Sequence, residues 1–299
     1  MSFDPIVSGS LSFLVVLILM ALNVPIGISM LVVGFTGFAL ITGFEQALFV
    51  LGTAPFEAVS KYTLSVLPLF VLMGNLANRA NLSRNLYDAA YAIVGHYKGG
   101  LAMSTVGACA GFGMICGSSI ATAATMSQMA GPEMKRHGYS DALISGSVAS
   151  GGTLGIIIPP SVILIIYAYL TEQSIQQLFF AALIPGLIAV VLYMIAIRVY
   201  LVIYPDQGGH GEKMTARDRI SALTKVFPIF LIFAIIMGGL YLGFFTATES
   251  AAVGVILVII FIFFRGELTI ELLRNSIWDT VKTVGALYLI VIGASVFNF

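Results

Sequence analysis

The chain has 299 residues, 59% of them hydrophobic and only 9% charged, with a mean hydropathy of +1.02 and a net charge of zero. Water-soluble domains carry about 25% charged residues, so a globule of this length could not hide its apolar side chains from water, and its solvent must largely be lipid. The neutral balance argues against a nucleic-acid-binding surface, and Asp4, with no Lys or Arg before the first apolar run, is not the basic start of a cleaved signal peptide.

A bilayer core of about 30 Å takes roughly 20 helical residues. Apolar segments of that kind run at 7–22, 24–43, 62–78, 160–203 in two pieces, 226–244, 248–264 and 283–299, with Asn23-Val24-Pro25 dividing the first two. Between Arg79 and Gly100 the pattern turns amphipathic. Leu86, Ala89, Ala90, Ile93 and Val94 are set against Arg84, Asp88 and Tyr91, which predicts a helix lying at the membrane interface. Residues 267–282 repeat the pattern, with Leu268, Ile270, Leu272, Leu273 and Ile277 among Glu267, Glu271, Arg274, Asp279 and Lys282. The longest polar stretch, Tyr204 to Lys225, holds Pro205, Gly208, Gly209 and Gly211. It also carries Lys213, Arg217, Arg219 and Lys225, so it is predicted to be a cytoplasmic surface loop.

The charge rule then constrains the stretch from Leu101 to Gly131. Leu170-Thr171-Glu172-Gln173-Ser174 has no basic residue and falls on the outer face, so the segment before it returns to the cytoplasmic side at Lys135, Arg136 and His137. Arg79, Arg84 and Lys98 form another basic cluster upstream, which puts both ends of 101–131 on one side. Two full crossings need about 40 residues, and about 30 are present. Each limb, at roughly 15 residues, reaches about 22 Å. The stretch is predicted to be a re-entrant helical hairpin whose tip, Gly117-Ser118-Ser119, lies near the midplane.

A second irregular element follows. Gly151-Gly152-Thr153-Leu154-Gly155 and Pro159-Pro160-Ser161 interrupt an apolar run. Neither proline donates an amide, and Pro160 disfavours the α region for Pro159. A discontinuous helix is expected over 151–161. Irregular backbone at membrane depth survives only where it is buried in protein or lines a wet cavity, so both elements are candidates for holding a solute. At the tip, Ser118 and Ser119 offer hydroxyl and carbonyl oxygens to a hard cation such as Na⁺, and the amides opening the second limb face a carboxylate. In the break, Gly152, Gly155 and Pro159 would contribute backbone oxygens and Thr153 its hydroxyl. For the tip the competing account is close helix packing, for which Gly107, Gly111, Gly113 and Gly117 are well placed; for the break it is a proline kink without function. A third cluster, Thr246-Ala247-Thr248-Glu249, reads as a helix N-cap at Thr248 followed by an acid. Its alternative is a contact with the solute path or a partner.

Other signals carry little. Cys109 and Cys116 sit in an apolar stretch without His, Asp or Glu nearby and are expected to be buried packing residues. "GFGMICG" misses the dinucleotide-binding spacing. Asn81-Leu82-Ser83 is a glycosylation sequon on the predicted cytoplasmic side. His96, His137 and His210 fall in polar connections. No catalytic triad, metal-ligand spacing or phosphate loop is visible, so an enzyme is not expected.

Five passages, in order, carry a family likeness: "LPLFVLMGNLANRANLSRNLYDAAYAIVGHYKGGLA", "GSSIATAA", "PEMKRHGYSDALISGSVASGGTLGIIIPPS", "LFFAALIPGL" and "GFFTATESAAV". Together they resemble the large membrane subunit of tripartite ATP-independent periplasmic (TRAP) transporters across nearly the whole chain. The resemblance implies an all-α integral membrane protein, an elevator-type transporter of inverted repeats, in the bacterial inner membrane. It implies uptake of organic acids such as C4-dicarboxylates or sialic acid, driven by Na⁺. It also implies two partners, a small (Q-type) membrane subunit and a soluble periplasmic substrate-binding protein. On this sequence it makes 101–131 the first hairpin and 151–161 the broken helix opposite, forming a sodium site beside the solute. The family's usual proline in "TPTE" is Ala247 here.

The expected organisation is scaffold helices and an arm helix over 1–100, half of a transport core over 101–170, scaffold and connecting helices with the 204–225 loop over 171–266, and a second arm helix opening a second repeat over 267–299. The second hairpin and second broken helix of the family are not found before Phe299, so a truncated or split chain is expected. Rival readings are a binding-protein-independent dicarboxylate or citrate symporter and a non-transporting scaffold.

Overall fold

In the computed structural model, which describes residues 5–299, the chain is helical throughout, with no strand among the described residues. It divides into two units: residues up to Ser65 together with Val281–Phe299, and Val66–Thr280.

The first unit holds α1 (Pro5–Ala21), α2 (Ile26–Thr42), α3 (Phe44–Ser60) and the C-terminal part of α13 (Ile270–Phe297). Outward-facing Leu11, Phe13, Leu14, Leu17 and Ile18 on α1 are the side chains of a helix solvated by lipid. On α2, Gly27 and Gly34 lie seven residues apart, with Gly27 against the Leu289 backbone and Gly34 against Phe297. Small residues on that face let the backbones approach, the usual means of helix association where lipid removes a hydrophobic drive. Tyr288 Oη donates to the Leu64 carbonyl at 3.1 Å. The Phe44–Ser60 helix was not among the predicted segments, since Glu45, Gln46, Pro55 and Glu57 interrupt its apolar pattern. The amphipathic 267–282 stretch and the apolar 283–299 run, two elements in the sequence, form the single α13.

The second unit is built around α6 (Gly100–Cys116). It packs against α4 (Val66–Arg79), α5 (Leu82–Val94), α7 (Ser119–Arg136), α8 (Asp141–Ile157) and α10 (Ile175–Ile203). Nearly every residue of α6 is buried. That is possible because eight of its 17 residues are Gly, Ala or Ser, which let neighbouring helices come close. Gly107 faces Met194 and Ala90, Gly111 faces Leu86, and Gly113 faces the Cα of Gly155. Both free cysteines are buried, and the Cys109 sulfur fills the space beside Gly151, in agreement with a packing role. The amphipathic 82–94 segment is a helix whose buried side includes Leu82, Leu86, Ala89 and Ala92. Its remaining polar face carries Asp88, whose carboxyl burial pushes above its usual range while Arg84 and Lys225 draw it back.

Among the described residues, four helices are long and apolar enough to span a membrane: α10, α11 (Ala216–Tyr241), α12 (Ala247–Phe264) and α13. Helix α8 with α9 (Val162–Leu170) passes the same test as one broken span bent by 47°. The polar 204–215 segment is pinned rather than loose. Its Gly209 carbonyl accepts from Gly99 N at 3.0 Å and from Tyr139 Oη at 2.9 Å, and its Gln207 carbonyl accepts from Ser140 N at 3.0 Å. Tyr139 Oη in turn accepts from Leu101 N at 3.2 Å. The feet of α6 and α7 are therefore stapled together through one phenol and one loop.

Candidate functional site

The hairpin turn predicted at Gly117-Ser118-Ser119 is present. Helix α6 ends at Cys116, and Gly117 adopts φ +61°, a left-handed cap for which glycine is suited. Ser118 is extended and N-caps α7, its Oγ accepting from Ala121 N at 3.4 Å. The turn is only two residues long because Ser119 already belongs to the helix. The Ser118 carbonyl accepts from both Thr122 N at 3.1 Å and Thr122 Oγ1 at 2.7 Å.

The break downstream is narrower than expected. Gly151 to Gly155 are helical, and α8 runs on to Ile157. Only Ile158 to Ser161 leave the helix, with a cis Pro159–Pro160 peptide. The glycines serve contact rather than irregularity. A methyl added at Gly152 would lie 3.3 Å from Ser119 O, and one at Gly155 would lie 2.9 Å from Ser118 O and 2.7 Å from Thr122 Oγ1. Close packing thus explains why the segment stays helical. The prolines make the interruption. Pro159 brings no N–H to the Gly155 carbonyl, and Pro160 brings none to that of Ile156. Ser161 Oγ supplies the second, donating to Ile156 O at 2.7 Å, while also accepting from Leu164 N at 3.4 Å as the cap of α9.

The two elements meet. Val162 N donates to Gly117 O at 3.3 Å, and the position of a Gly117 side chain lies 2.8 Å from Pro160 O. Ser118, Ser119, Gly152, Gly155 and Pro159 are therefore gathered around one locus. Two helix N-termini, of α7 and α9, converge there with the C-terminal ends of α6 and α8. N-termini carry about +0.5 of a charge and C-termini about −0.5, so the locus offers amides to an anion and carbonyls to a cation. Thr153 is elsewhere: its Oγ1 donates to Ser150 O at 2.7 Å and lies 3.1 Å from Tyr193 Oη of α10.

Thr246, Thr248 and Glu249 open α12, with the cap two residues earlier than expected. Thr246 is the N-cap, its Oγ1 accepting from Glu249 N at 3.3 Å, while Glu249 Oε2 accepts from Thr246 N at 2.8 Å. This reciprocal capping box occupies both side chains. Thr248 is nearer the glutamate, but the three-residue spacing to Glu249 selects Thr246. Two residues at the central locus, Thr122 and Ser161, lie inside the predicted elements but outside the predicted site. A serine directly before an apolar helical run is an N-cap signal, and Thr122 is one helical turn past Ser118.

Residues 13–299 match the family described as tripartite ATP-independent periplasmic transporter, DctM component. The chain belongs to that family. Among curated relatives of this DctM-component chain, the C4-dicarboxylate TRAP transporter large permease protein DctM of Pseudomonas aeruginosa is 39% identical over 201 residues, 67% of this chain and 47% of the relative. The ectoine/5-hydroxyectoine TRAP transporter large permease protein UehC of Ruegeria pomeroyi is 30% identical, over 94% of this chain and 65% of its own length. The sialic acid TRAP transporter permease protein SiaT of Haemophilus influenzae is 29% identical, over 96% and 46%. The chain spans about half the length of the curated relatives it matches. Membership places the chain in the inner membrane, in keeping with the four span-length apolar helices among the described residues.

The family-typical proline position before Thr248 is Ala247, the first helical residue of α12. Proline is favoured there, and Thr246, at φ −69° and ψ 167°, already has the extended backbone that a following proline demands. Ala247→Pro is expected to raise stability by about 0.4–1 kcal/mol. Thermal melts of the purified protein that fell instead would show that the Ala247 amide is used.

Proposed function

We propose that this chain forms part of the large membrane subunit of a sodium-coupled TRAP importer of organic acids, and that the Gly117–Ser118 turn and the Ile158–Ser161 break make up one ion-and-solute locus. The observation that carries the reading is their junction, in which Val162 N donates to Gly117 O and Ser118 O lies against Gly155. The Gly155 carbonyl, to which Pro159 brings no N–H, and the oxygens of Ser118 and Ser119 suit Na⁺, a hard cation that prefers oxygen ligands. The α7 and α9 N-termini suit a carboxylate. The relatives' names supply the solute classes: C4-dicarboxylate, sialic acid and ectoine.

In this reading α6 to α9 are the moving core of an elevator, the hairpin enters the membrane without crossing it, and the remaining helices act as scaffold. A small membrane subunit braces the scaffold and a periplasmic binding protein delivers the solute. Thr246 and Glu249 cap a scaffold helix.

Sodium titration of uptake tests it. In a complete transporter carrying this chain, Ser119→Ala and Ser118→Ala are each expected to raise the half-saturating Na⁺ concentration about tenfold, the loss of roughly one ion–ligand interaction of about 1.4 kcal/mol. Uptake that keeps the wild-type Na⁺ curve in the double variant rejects the locus. Uptake that proceeds without any binding protein rejects the tripartite assembly instead.

A further inference from the structure

The C-terminal end of α4 and the first turns of α13 enclose a cleft of about 590 Å³, away from the Gly117–Ser161 locus. Its size falls within the roughly 300–1,000 Å³ of small-molecule sites, but such sites are mostly apolar, and this one is not. Its walls are Asn75, Asn78 and Asn275, the carboxylate of Glu271, and the Arg79–Asp279 ion pair. Asn75 and Asn78, three residues apart, share one face of α4. Both are fixed in place: Asn75 Nδ2 donates to Thr280 Oγ1 at 3.0 Å, and Asn78 Oδ1 accepts from Thr125 Oγ1 at 3.2 Å. Those bonds leave the Asn75 carbonyl oxygen and the Asn78 amide protons for a guest.

Charge selects the guest. The cleft holds one guanidinium and two carboxylates, and the side chains of Arg79 and Asp279 are 38% and 40% exposed, so a solute can reach the pair. A simple organic anion taking Arg79 would leave Asp279 without its partner and would face Glu271. A simple cation taking Asp279 would leave Arg79 alone. Separating a charge pair is unfavourable unless both charges find new partners. A molecule with both charges meets that condition: its carboxylate takes the guanidinium in bidentate fashion, and its cationic end lies between Asp279 and Glu271. We propose that this cleft binds a small zwitterionic organic solute bearing hydroxyl or amide groups. The inference does not rest on the transport reading. Where that reading also holds, the Asn78–Thr125 hydrogen bond connects the cleft to the second limb of the hairpin.

Equilibrium dialysis of the chain in lipid nanodiscs against radiolabelled 5-hydroxyectoine, a hydroxylated zwitterion with a cyclic amidinium and a carboxylate, tests the proposal. One saturable site is expected, with succinate competing at least tenfold more weakly. Arg79→Gln and Asp279→Asn should each weaken binding tenfold or more. Asn275→Leu, which fills the cleft and leaves the ion pair in place, should do the same in a protein whose elution profile and melting are unchanged. Absence of saturable binding, full binding by Arg79→Gln and Asn275→Leu, or equal competition by succinate would each overturn it. Loss of the site in Ser118→Ala/Ser119→Ala with retention in Arg79→Gln would assign the solute to the hairpin turn and overturn the cleft.

Discussion

Gly117→Ala is expected to destabilise the chain by about 2–5 kcal/mol, the sum of roughly 1–2 for a side chain in the left-handed region and about 1–3 for overpacking. The first contribution follows from φ +61° and the second from Pro160 O, 2.8 Å from where the methyl would sit. The protein contains its own control. Gly138 has φ +77° with nothing within 4 Å of an added methyl, so Gly138→Ala should cost only the conformational part, about 1–2 kcal/mol. Gly155→Ala provides the complement: its backbone is helical, yet its methyl would press on Ser118 O and Thr122 Oγ1. It should cost the packing part, about 1–3 kcal/mol, less up to about 1 kcal/mol regained from helix propensity. Melts of the three purified variants decide the matter. If Gly117→Ala were no worse than Gly138→Ala, the turn would not be seated on the break, and the locus assembled from them would fall.

The helices and the turn were legible because each has a short-range cause. Apolar runs of spanning length gave α10, α11 and α12, and Gly117-Ser118 has the left-handed cap and serine N-cap that end one helix and begin another. What failed was any inference that needed a neighbour. The sequence treats Gly151-Gly152-Thr153-Leu154-Gly155 as a weak helix, since each glycine costs about 1 kcal/mol relative to alanine. The fold keeps it helical because those glycines admit Cys109, Ala123 and Ser118 at distances no side chain would permit, and Ser119 at a tight 3.3 Å. Thr153 looked like part of the break, but helical continuation turns its hydroxyl to Tyr193 instead. The join at residue 283 vanished for a related reason: a change from amphipathic to apolar pattern marks a change of surroundings, not an end of helix, and α13 passes through it.

The same distinction between local and tertiary causes governs Ser161→Ala, for which a loss of about 2–4 kcal/mol is expected. Removal of an N-cap accounts for about 1 kcal/mol. The rest, about 1–3 kcal/mol, comes from a carbonyl left without a donor, because Pro160 has no N–H for Ile156 and Ser161 Oγ is the group that serves it. Ser140→Ala is the matched comparison. Ser140 Oγ caps α8 by accepting from Leu143 N at 3.3 Å, with no interrupted carbonyl behind it, so it should lose only the cap, about 1 kcal/mol. Sodium separates a structural carbonyl from one that belongs to an ion site. If the break coordinates Na⁺, an Ile156 oxygen freed by Ser161→Ala gains a cation as partner, and melting in sodium chloride should recover part of the loss relative to choline chloride at equal ionic strength. Ser140→Ala should show no such salt selectivity. Equal melting of Ser161→Ala in the two salts would confine Ser161 to holding the break in shape and would reject Na⁺ coordination by the break.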